Sequence, residues 1–548
     1  MGKTIVIVGG VAGGASAAAR LRRLNEYDNI IILERGEYIS FANCGLPYYI
    51  GGVITERDKL LIQTPEKMKD RFNIDVRTEN EVVDIDSESK TITVINHKVG
   101  KEEFIQYDTL ILSPGARPFI PDIAGLSVNG PVFTLRNMLD TDNIKAYLIS
   151  ATPEAVTIIG GGFIGLEMAE NLVSSGLKVT IIELSNQILS PLDYEMAAIV
   201  EKHLKDNGVD VIKNDAVVQF DESAHQIHLK SGKIITTDMV ILAIGVEPEN
   251  DLAKKAHLDL GIRGSILVNE KLQTSVADIY AIGDAIQVVD YINGQATYIP
   301  LAWPANRQGR LLADIINGRD VRYHGTLGTA IAKVLDLSAA CTGNNERLLK
   351  RLAIPYQVVH IHGMSHASYY PGAHQISLKL LFSPENGRIL GAQAVGQGGT
   401  DKRIDVLATA IKGRLTIYDL PDLELAYAPP YSSAKDPVNM LGYVAENISN
   451  GDVMTKQWHE VDAFMADGGI IIDVRDEAEF ISGSIKTAVN IPLSELRQKL
   501  ALIPQDKKIL VTCQVGLRGY IAARILSQYG YTVANLDGGY LTFNYANA

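Results

Sequence analysis

Short apolar runs alternate with glycine turns and longer amphipathic stretches along the chain, a rhythm that predicts strands alternating with helices. Residues 4–8, Thr-Ile-Val-Ile-Val, form an unbroken apolar, β-branched run that reads as a strand buried on both faces. It leads into Gly9-Gly10-Val11-Ala12-Gly13-Gly14, then the helix-forming Ala15-Ser16-Ala17-Ala18-Ala19-Arg20, then a second strand at 30–33 ending in Glu34. That order is a dinucleotide-binding unit. Its glycines allow a tight turn, its helix N-terminus faces a pyrophosphate, and its acid accepts from a ribose hydroxyl. Val11 stands at the motif's middle glycine, so it is the surrounding order that separates this reading from a plain glycine turn.

The pattern repeats at 156–159, followed by Gly160-Gly161-Gly162-Phe163-Ile164-Gly165, a helix through Glu167 and Glu170, and a strand at 179–182 ending in Glu183. Here the glycine motif is complete. Two such units predict a flavin site and a nicotinamide site that pass a hydride between them. Glu183 is followed by Leu-Ser-Asn-Gln with no nearby arginine, which repels a 2′-phosphate and favours NADH over NADPH. This order, and the segment 274–284 ending in Gly283-Asp284, resembles the flavin disulfide reductases. The resemblance sets Asp284 against the ribityl chain of FAD, where the plainer reading is a turn or helix cap. A helix at 305–317 then closes a discontinuous first domain. Beyond it, strands at 376–382 and 389–395 precede a helix at 404–412, and the polar, turn-rich residues 446–457 read as a linker.

Composition narrows the function classes. At 548 residues and 46% hydrophobic content the chain predicts three or four ordinary globular domains. A net charge of −13 without a basic run argues against nucleic acid. The three cysteines, Cys44, Cys341 and Cys513, lie far apart, so neither a disulfide framework nor a metal-ligand spacing is expected, and a reducing cytosol fits. Gly2-Lys3-Thr4 leads straight into the first strand, leaving no signal-peptide pattern, and the apolar runs are too short to span a membrane.

The chemistry centres on Ser40-Phe41-Ala42-Asn43-Cys44-Gly45-Leu46-Pro47-Tyr48. A cysteine just past a flavin-binding βαβ unit can exchange electrons with the isoalloxazine ring as a thiolate. No second cysteine follows within this segment, so the oxidised partner of Cys44 is a small-molecule sulfur or an oxygen. With the first glycine loop and Tyr427-Ala428-Pro429-Pro430-Tyr431, this stretch resembles the single-cysteine branch of the coenzyme A-disulfide reductase family. Within that family the nearest group carries a C-terminal rhodanese domain and includes NADH-dependent persulfide reductases. The resemblance implies an α/β chain. FAD-binding segments at 1–150 and 276–322 enclose an NAD-binding domain at 151–275, and an α+β dimerisation domain follows at 323–445. A linker at 446–457 leads to an α/β rhodanese domain at 458–548.

By the same resemblance, FAD and NADH contacts extend to Arg35, Asn43, Val82, Gly115, Arg136, Gly245, Gly283, Ala302 and Tyr427, and Phe163 covers the flavin. Coenzyme A is held at Ser16, Ser40, Asn43, Asn306 and Lys435, with Arg20 and Arg23 as phosphate cations or, equally, as solvated helix charges. Phe72 replaces a lysine of some members, loosening the expected grip on the nucleotide end. In a homodimer with a shared site, Tyr369 or Tyr427 of the other subunit protonates the departing thiolate; without the family match these tyrosines read as packing residues.

A strand at 509–512 delivers Cys513 into Cys513-Gln514-Val515-Gly516-Leu517-Arg518-Gly519 before a helix at 520–529. Such a strand-to-helix loop points backbone N–H groups at sulfur and stabilises an anionic persulfide. Asp473-Val474-Arg475, Glu479-Phe480, Asn490-Ile491-Pro492 and Leu536-Asp537-Gly538-Gly539 match rhodaneses in order, against the rival of a cysteine-dependent phosphatase with Arg518 at the loop end. Cys341 sits in an apolar run and reads as a buried structural thiol. The expected reaction is attack of Cys44 on coenzyme A persulfide or disulfide. The rivals are a coenzyme A-disulfide reductase with an auxiliary sulfurtransferase, an NADH oxidase or peroxidase in which Cys44 cycles through sulfenic acid, and a redox-sensing binding protein.

Overall fold

A computed structural model describes residues 2–547 except 129 and 222. The chain divides into two compact units, the first built from residues 1–185 and 212–328, the second from 186–211 and 329–548.

The first unit holds two parallel sheets. In one, Thr4–Val8 lies between Asn29–Glu34 and Thr109–Leu112, with Asp75–Thr78 and Ile279–Ala281 at the edges. Ile5, Val6 and Ile7 are fully buried, as an apolar run without alternation requires when both sheet faces are covered. The helix Ala302–Ile316 crosses Ala12–Leu24 at a glycine: a β-carbon on Gly309 would lie 2.3 Å from the Gly13 carbonyl oxygen. The return of the chain to the first domain is therefore locked by backbone-to-backbone approach. In the other sheet Ala155–Ile159 pairs in parallel with Lys178–Ile182 and Met239–Leu242, and Val132–Thr134 extends it. Three antiparallel strands, Asn80–Asp86, Thr91–Asn96 and Lys101–Gln106, complete a small satellite sheet.

The second unit joins a five-stranded antiparallel sheet to a five-stranded parallel one. The first runs Ala330–Val334, Leu337–Gly343, Ile389–Gly396, Gln375–Phe382, Gln357–Met364, the second Met454–Lys456, Val533–Leu536, Ile509–Thr512, Ile470–Asp473, Val489–Asn490. Residues 446–457 are divided between the end of helix Pro437–Ser449, a turn, and the edge strand Met454–Lys456. The helix Tyr194–Asp206 belongs to this unit, because its buried Glu195 answers the buried Lys379 of Gln375–Phe382. Asp193, Glu195 and Glu346 bring carboxylate oxygens within 4.8 Å of one another, and the Lys379 ammonium bonds to all three. Among the described residues no helix is long and apolar enough to cross a membrane.

Candidate active site

The two glycine loops of the first unit are constructed alike. Gly9 has φ +95 and Gly160 φ +108, and a β-carbon at either would fall within 2.4 Å of a carbonyl oxygen, that of Ser113 or Ala243. Gly14 and Gly165 each approach the first glycine's own carbonyl, where an added β-carbon would lie 1.9 Å and 2.1 Å away. Each strand-end acid reaches back to its loop: Gly10 N–H donates to Glu34 at 3.0 Å and Gly161 N–H to Glu183 at 2.8 Å. Gly36 and Ser185 N–H groups fix the other carboxylate oxygens. Val11 caps the helix Ala12–Leu24 and Gly162 the helix Phe163–Ser174, neither with an acid in the first turn, so both N-termini keep their positive ends for phosphate. Phe163 and Ile164 are half-buried beside the second loop.

Cys44 occupies the short turn Asn43–Gly45, leading into helix Leu46–Ile50, and is exposed. Surrounding protein nevertheless raises its thiol pKa by desolvation, with the carboxylates of Glu167 and Asp284 adding to the effect and Arg136 opposing it. The protein alone therefore favours the thiol. Glu167 is pushed up to about 7, first by burial and then by Glu170, and Tyr48 up to about 12 by the same burial and by Glu167. Asp284, raised by burial, takes an ion pair from Arg136 at 3.4 Å, and a β-carbon on Gly115 would lie 3.0 Å from that arginine. Gly283 N–H donates to Gln308 at 2.8 Å, and Gly245 has φ +112 with open space where a side chain would be.

Two buried polar atoms at this place, Asn43 Oδ1 and Tyr298 OH, have no hydrogen-bond partner among the described residues. Tyr298 feels the charges of Asp284 and Arg136. Orphaned polar atoms beside an acid, an arginine and a glycine loop suit a flavin, whose ring edge and ribityl hydroxyls supply both donors and acceptors. Tyr298 has no motif in the sequence, and its place emerges only from the fold.

The remaining expected positions scatter more widely. Ser16 donates to Asn306 at 2.6 Å, which brings two of the expected coenzyme A residues together. Ser40, at φ +45, ties the Cys44 segment to the first loop through its N–H to Gly10 O at 2.9 Å. Arg20 is committed to Asp314 through Nε and Nη2 at 2.9 and 2.8 Å, so it is neither a solvated charge nor a wholly free phosphate ligand. Arg23 is exposed. Arg35 pairs with Glu249, Val82 lies in the core of the first unit, and Ala302 starts its helix exposed. Lys435 is exposed, over the ring of Tyr443.

In the second unit Tyr369 and Tyr427 hydroxyls meet at 2.8 Å on the exposed surface, and this bond raises the Tyr369 pKa. Tyr427 also lines a groove of about 480 Å³ with Lys402, Ala426, Ala428 and Tyr431. Cys513 is fully buried at the end of Ile509–Thr512, and Gly516 N–H donates to its Sγ at 3.1 Å. The helix begins at Leu517, because Gly516, at φ +99, turns the chain into it. Arg518 grips Glu479 with two bonds of 2.7 Å, and Arg475 grips the buried Asp473 while donating to Gln514 at 3.1 Å. Breaking a buried pair such as Asp473–Arg475 costs about 3–5 kcal/mol. Cys341 is buried, its thiol pushed up to about 12 chiefly by desolvation.

Known proteins give three family matches: pyridine nucleotide-disulphide oxidoreductase over residues 3–309, the dimerisation domain of that family over 329–437, and a rhodanese-like domain over 457–546. A coenzyme A disulfide reductase of Staphylococcus aureus (strain JH9) is 40% identical over 448 residues, 81% of this chain and 99% of that protein. A reduced Bacillus anthracis CoADR-RHD structure superimposes with TM-score 0.98 at 58% identity, covering 100% of this chain and 98% of the other. An NAD-dependent persulfide reductase from A. fulgidus gives TM-score 0.92 at 38% identity, over 98% of this chain and 100% of the other.

Proposed function

The chain belongs to the pyridine nucleotide-disulphide oxidoreductase family and ends in a rhodanese-like domain, and on that premise we propose that it is an NADH-dependent reductase of persulfide sulfur. Its acceptors are coenzyme A persulfide and, second, coenzyme A disulfide, with the C-terminal domain supplying sulfane sulfur. What carries the choice of persulfide is the second sulfur centre, Cys513 with a backbone N–H on its Sγ at 3.1 Å. A plain disulfide reductase has no use for a sulfur carrier.

FAD, when bound at the first glycine loop, supplies a two-electron path from NADH to sulfur. The loop of Gly9, Gly10, Val11, Ala12, Gly13 and Gly14 takes its pyrophosphate, and Glu34 its adenosine ribose. Asp284, Arg136, Asn43 and Tyr298 would hold the flavin end of that group, the first two through charge and the last two through their unpartnered polar atoms. Gly160, Gly162 and Gly165 take the pyrophosphate of NADH and Glu183 its ribose, the carboxylate selecting against a 2′-phosphate.

Cys44, as thiolate, attacks the coenzyme A sulfur of the persulfide. The S–S bond breaks, hydrosulfide leaves, and a Cys44–S–S–CoA disulfide forms. Two electrons from NADH then cleave that disulfide, returning the Cys44 thiolate and the coenzyme A thiol. The balance is CoA-S-SH + NADH + H⁺ giving CoA-SH + H₂S + NAD⁺. Glu167, raised by burial, stays largely protonated below about pH 7, where its repulsion of the Cys44 thiolate is weakest. In a homodimer the partner subunit's Tyr369 or Tyr427 protonates the leaving sulfur, the hydrogen bond between them aligning the donor. Ser16, Asn306, Ser40 and Lys435 position coenzyme A, and the cytoplasm is the compartment its thiol chemistry suits.

The test is anaerobic NADH oxidation with coenzyme A persulfide, coenzyme A disulfide and oxidised glutathione, reading sulfide alongside. Fastest turnover on the persulfide with one sulfide per NADH supports the reading. Dominant turnover of the disulfide without sulfide would replace it with a disulfide reductase carrying an auxiliary sulfurtransferase.

A further inference from the structure

Two histidines on one strand hold the C-terminal domain's sulfur loop from behind. His360 and His362 are two residues apart on Gln357–Met364, so their side chains share a face. His360 is 3% exposed. Its Nδ1 lies 2.7 Å from Asp537 Oδ2 and its Nε2 2.9 Å from Glu195 Oε1, and its backbone N–H also donates to Asp537. A ring with carboxylate oxygens at both nitrogens donates from both and is therefore an imidazolium. His362 meets two hydroxyls instead, Ser377 Oγ at 2.8 Å and Thr542 Oγ1 at 2.7 Å, partners that a neutral ring satisfies.

Asp537 and Thr542 connect both rings to the persulfide loop. Asp537 precedes Gly538 and Gly539, and a β-carbon on Gly539 would lie 2.4 Å from Cys513 O and 2.8 Å from Gly516 N. Tyr540 N–H donates to Cys513 O at 2.7 Å and Leu541 N–H to Gln514 O at 3.0 Å. Gly538 fits between His360 Cβ and Thr542 Oγ1, where its own β-carbon would come within 2.9 and 2.1 Å. Trp458 stacks on Tyr194 and donates to Glu195 at 3.2 Å, and Gln457 donates to Asp537 at 3.1 Å.

We propose that His360 and His362 are a two-histidine clamp that positions the sulfur-carrying loop on the antiparallel sheet, one as imidazolium between two carboxylates, the other as neutral imidazole between two hydroxyls. The role of this loop in sulfur supply rests on the reading given above; the clamp itself does not.

Charge fixes the pH behaviour. The groups facing His360 are Asp537 of the C-terminal domain, Glu195 of helix Tyr194–Asp206 and Lys379 of the neighbouring strand, beyond which stand Asp193 and Glu346. Despite burial, Asp537 and Glu195 hold His360 up to about 9. Its contribution to docking is complete below its ordinary value of 6.5 and is lost as pH rises through about 9. His362, facing Ser377, Thr542 and the Gly538 backbone, is held down to about 3 by burial and by the neighbouring His360 charge. Its contribution is complete above 6.5 and diminishes as pH falls from there toward 3. Docking is firmest near pH 6.5 and weakens on both sides.

Trp458 reports on the contact, and a Trp303→Phe background leaves it as the sole tryptophan. In the full-length protein the Trp458 emission should shift to the red as pH rises through about 9, with sulfane-sulfur transfer from Cys513 falling alongside. His360→Gln should show the shifted emission already at pH 7.5 and lose sulfane transfer at least about fivefold, while NADH turnover on coenzyme A disulfide stays within about twofold. Thr542→Val, a milder change at the other ring, should move the acid limb and leave the alkaline limb in place. Emission and transfer that stay flat from pH 6.5 to pH 10, with His360→Gln matching the parent, would overturn the clamp. Absence of any turnover of coenzyme A persulfide or disulfide by the parent would overturn the functional reading, with the fluorescence result still deciding the clamp.

Discussion

Cys44 and Cys513 are built in opposite ways. Cys44 is exposed on a short turn, and the carboxylates of Glu167 and Asp284 work against its ionisation. Cys513 is fully buried, with Gly516 N–H on its sulfur and the nearby arginines tied up by Asp473 and Glu479. The contrast separates two ways of managing sulfur. At Cys513 a backbone N–H already donates to the sulfur, which on the proposed reading favours a bound sulfur anion; on the same reading Cys44, whose ionisation the surrounding protein opposes, depends on what binds beside it.

Removing each sulfur in turn should split the activities most sharply. Cys44→Ser should lower NADH turnover on coenzyme A persulfide by at least about a thousandfold. Cys513→Ser should leave that turnover within about twofold and abolish sulfane transfer to a thiol, as read by anaerobic NADH oxidation and persulfide trapping. Equal loss in both variants would erase the distinction.

A β-carbon tests the backbone half of the comparison. Gly539 sits at φ +64 against Cys513 O and Gly516 N, so Gly539→Ala strains the turn and displaces the loop. We expect sulfane transfer to fall at least about tenfold, with about 1–3 kcal/mol lost from the C-terminal domain by thermal unfolding, and no change in NADH turnover on coenzyme A disulfide.

The phenol pair tests what Cys44 borrows from elsewhere. Tyr369→Phe and Tyr427→Phe should each lower kcat about tenfold to a hundredfold, and the double variant little further, because the two hydroxyls act through one hydrogen bond.

The smallest effect is electrostatic. Glu167, raised to about 7, is largely ionised above that pH and then opposes the Cys44 thiolate. Glu167→Gln should move the midpoint of Cys44 alkylation by iodoacetamide to lower pH. Glu167's own contribution to folded-state stability is lost as pH rises from 4.5 through about 7, and the difference between variant and parent in a thermal-unfolding pH series should grow over that range.

The sequence makes some of this architecture readable and hides the rest for physical reasons. The strands Thr4–Val8 and Ala155–Ile159 announce themselves because burial on both faces demands unbroken apolar runs. The glycine loops do so because no other residue fits where a β-carbon would touch a carbonyl, and Glu34 and Glu183 follow from the strand ends they close. Cys44 and Cys513 are legible from their segments. Pairings across long sequence separations leave no local trace. Arg20 reads as a phosphate cation or a solvated helix charge until Asp314 arrives on the returning helix, and Arg518 as the free arginine at the end of the Cys513 loop until Glu479 pairs with it. His360 has no motif, since Glu195, Lys379 and Asp537 come from three separate elements. Tyr298 is likewise invisible until the fold brings it toward Asp284.

The most direct test of two cooperating sulfur centres is a single-turnover experiment on the full chain. Cys513 would be loaded with sulfane sulfur, then given coenzyme A thiol and one equivalent of NADH without oxygen. The parent should release one sulfide per NADH oxidised, and Cys44→Ser none, accumulating coenzyme A persulfide instead. Equal sulfide release from the parent and Cys44→Ser would contradict that cooperation.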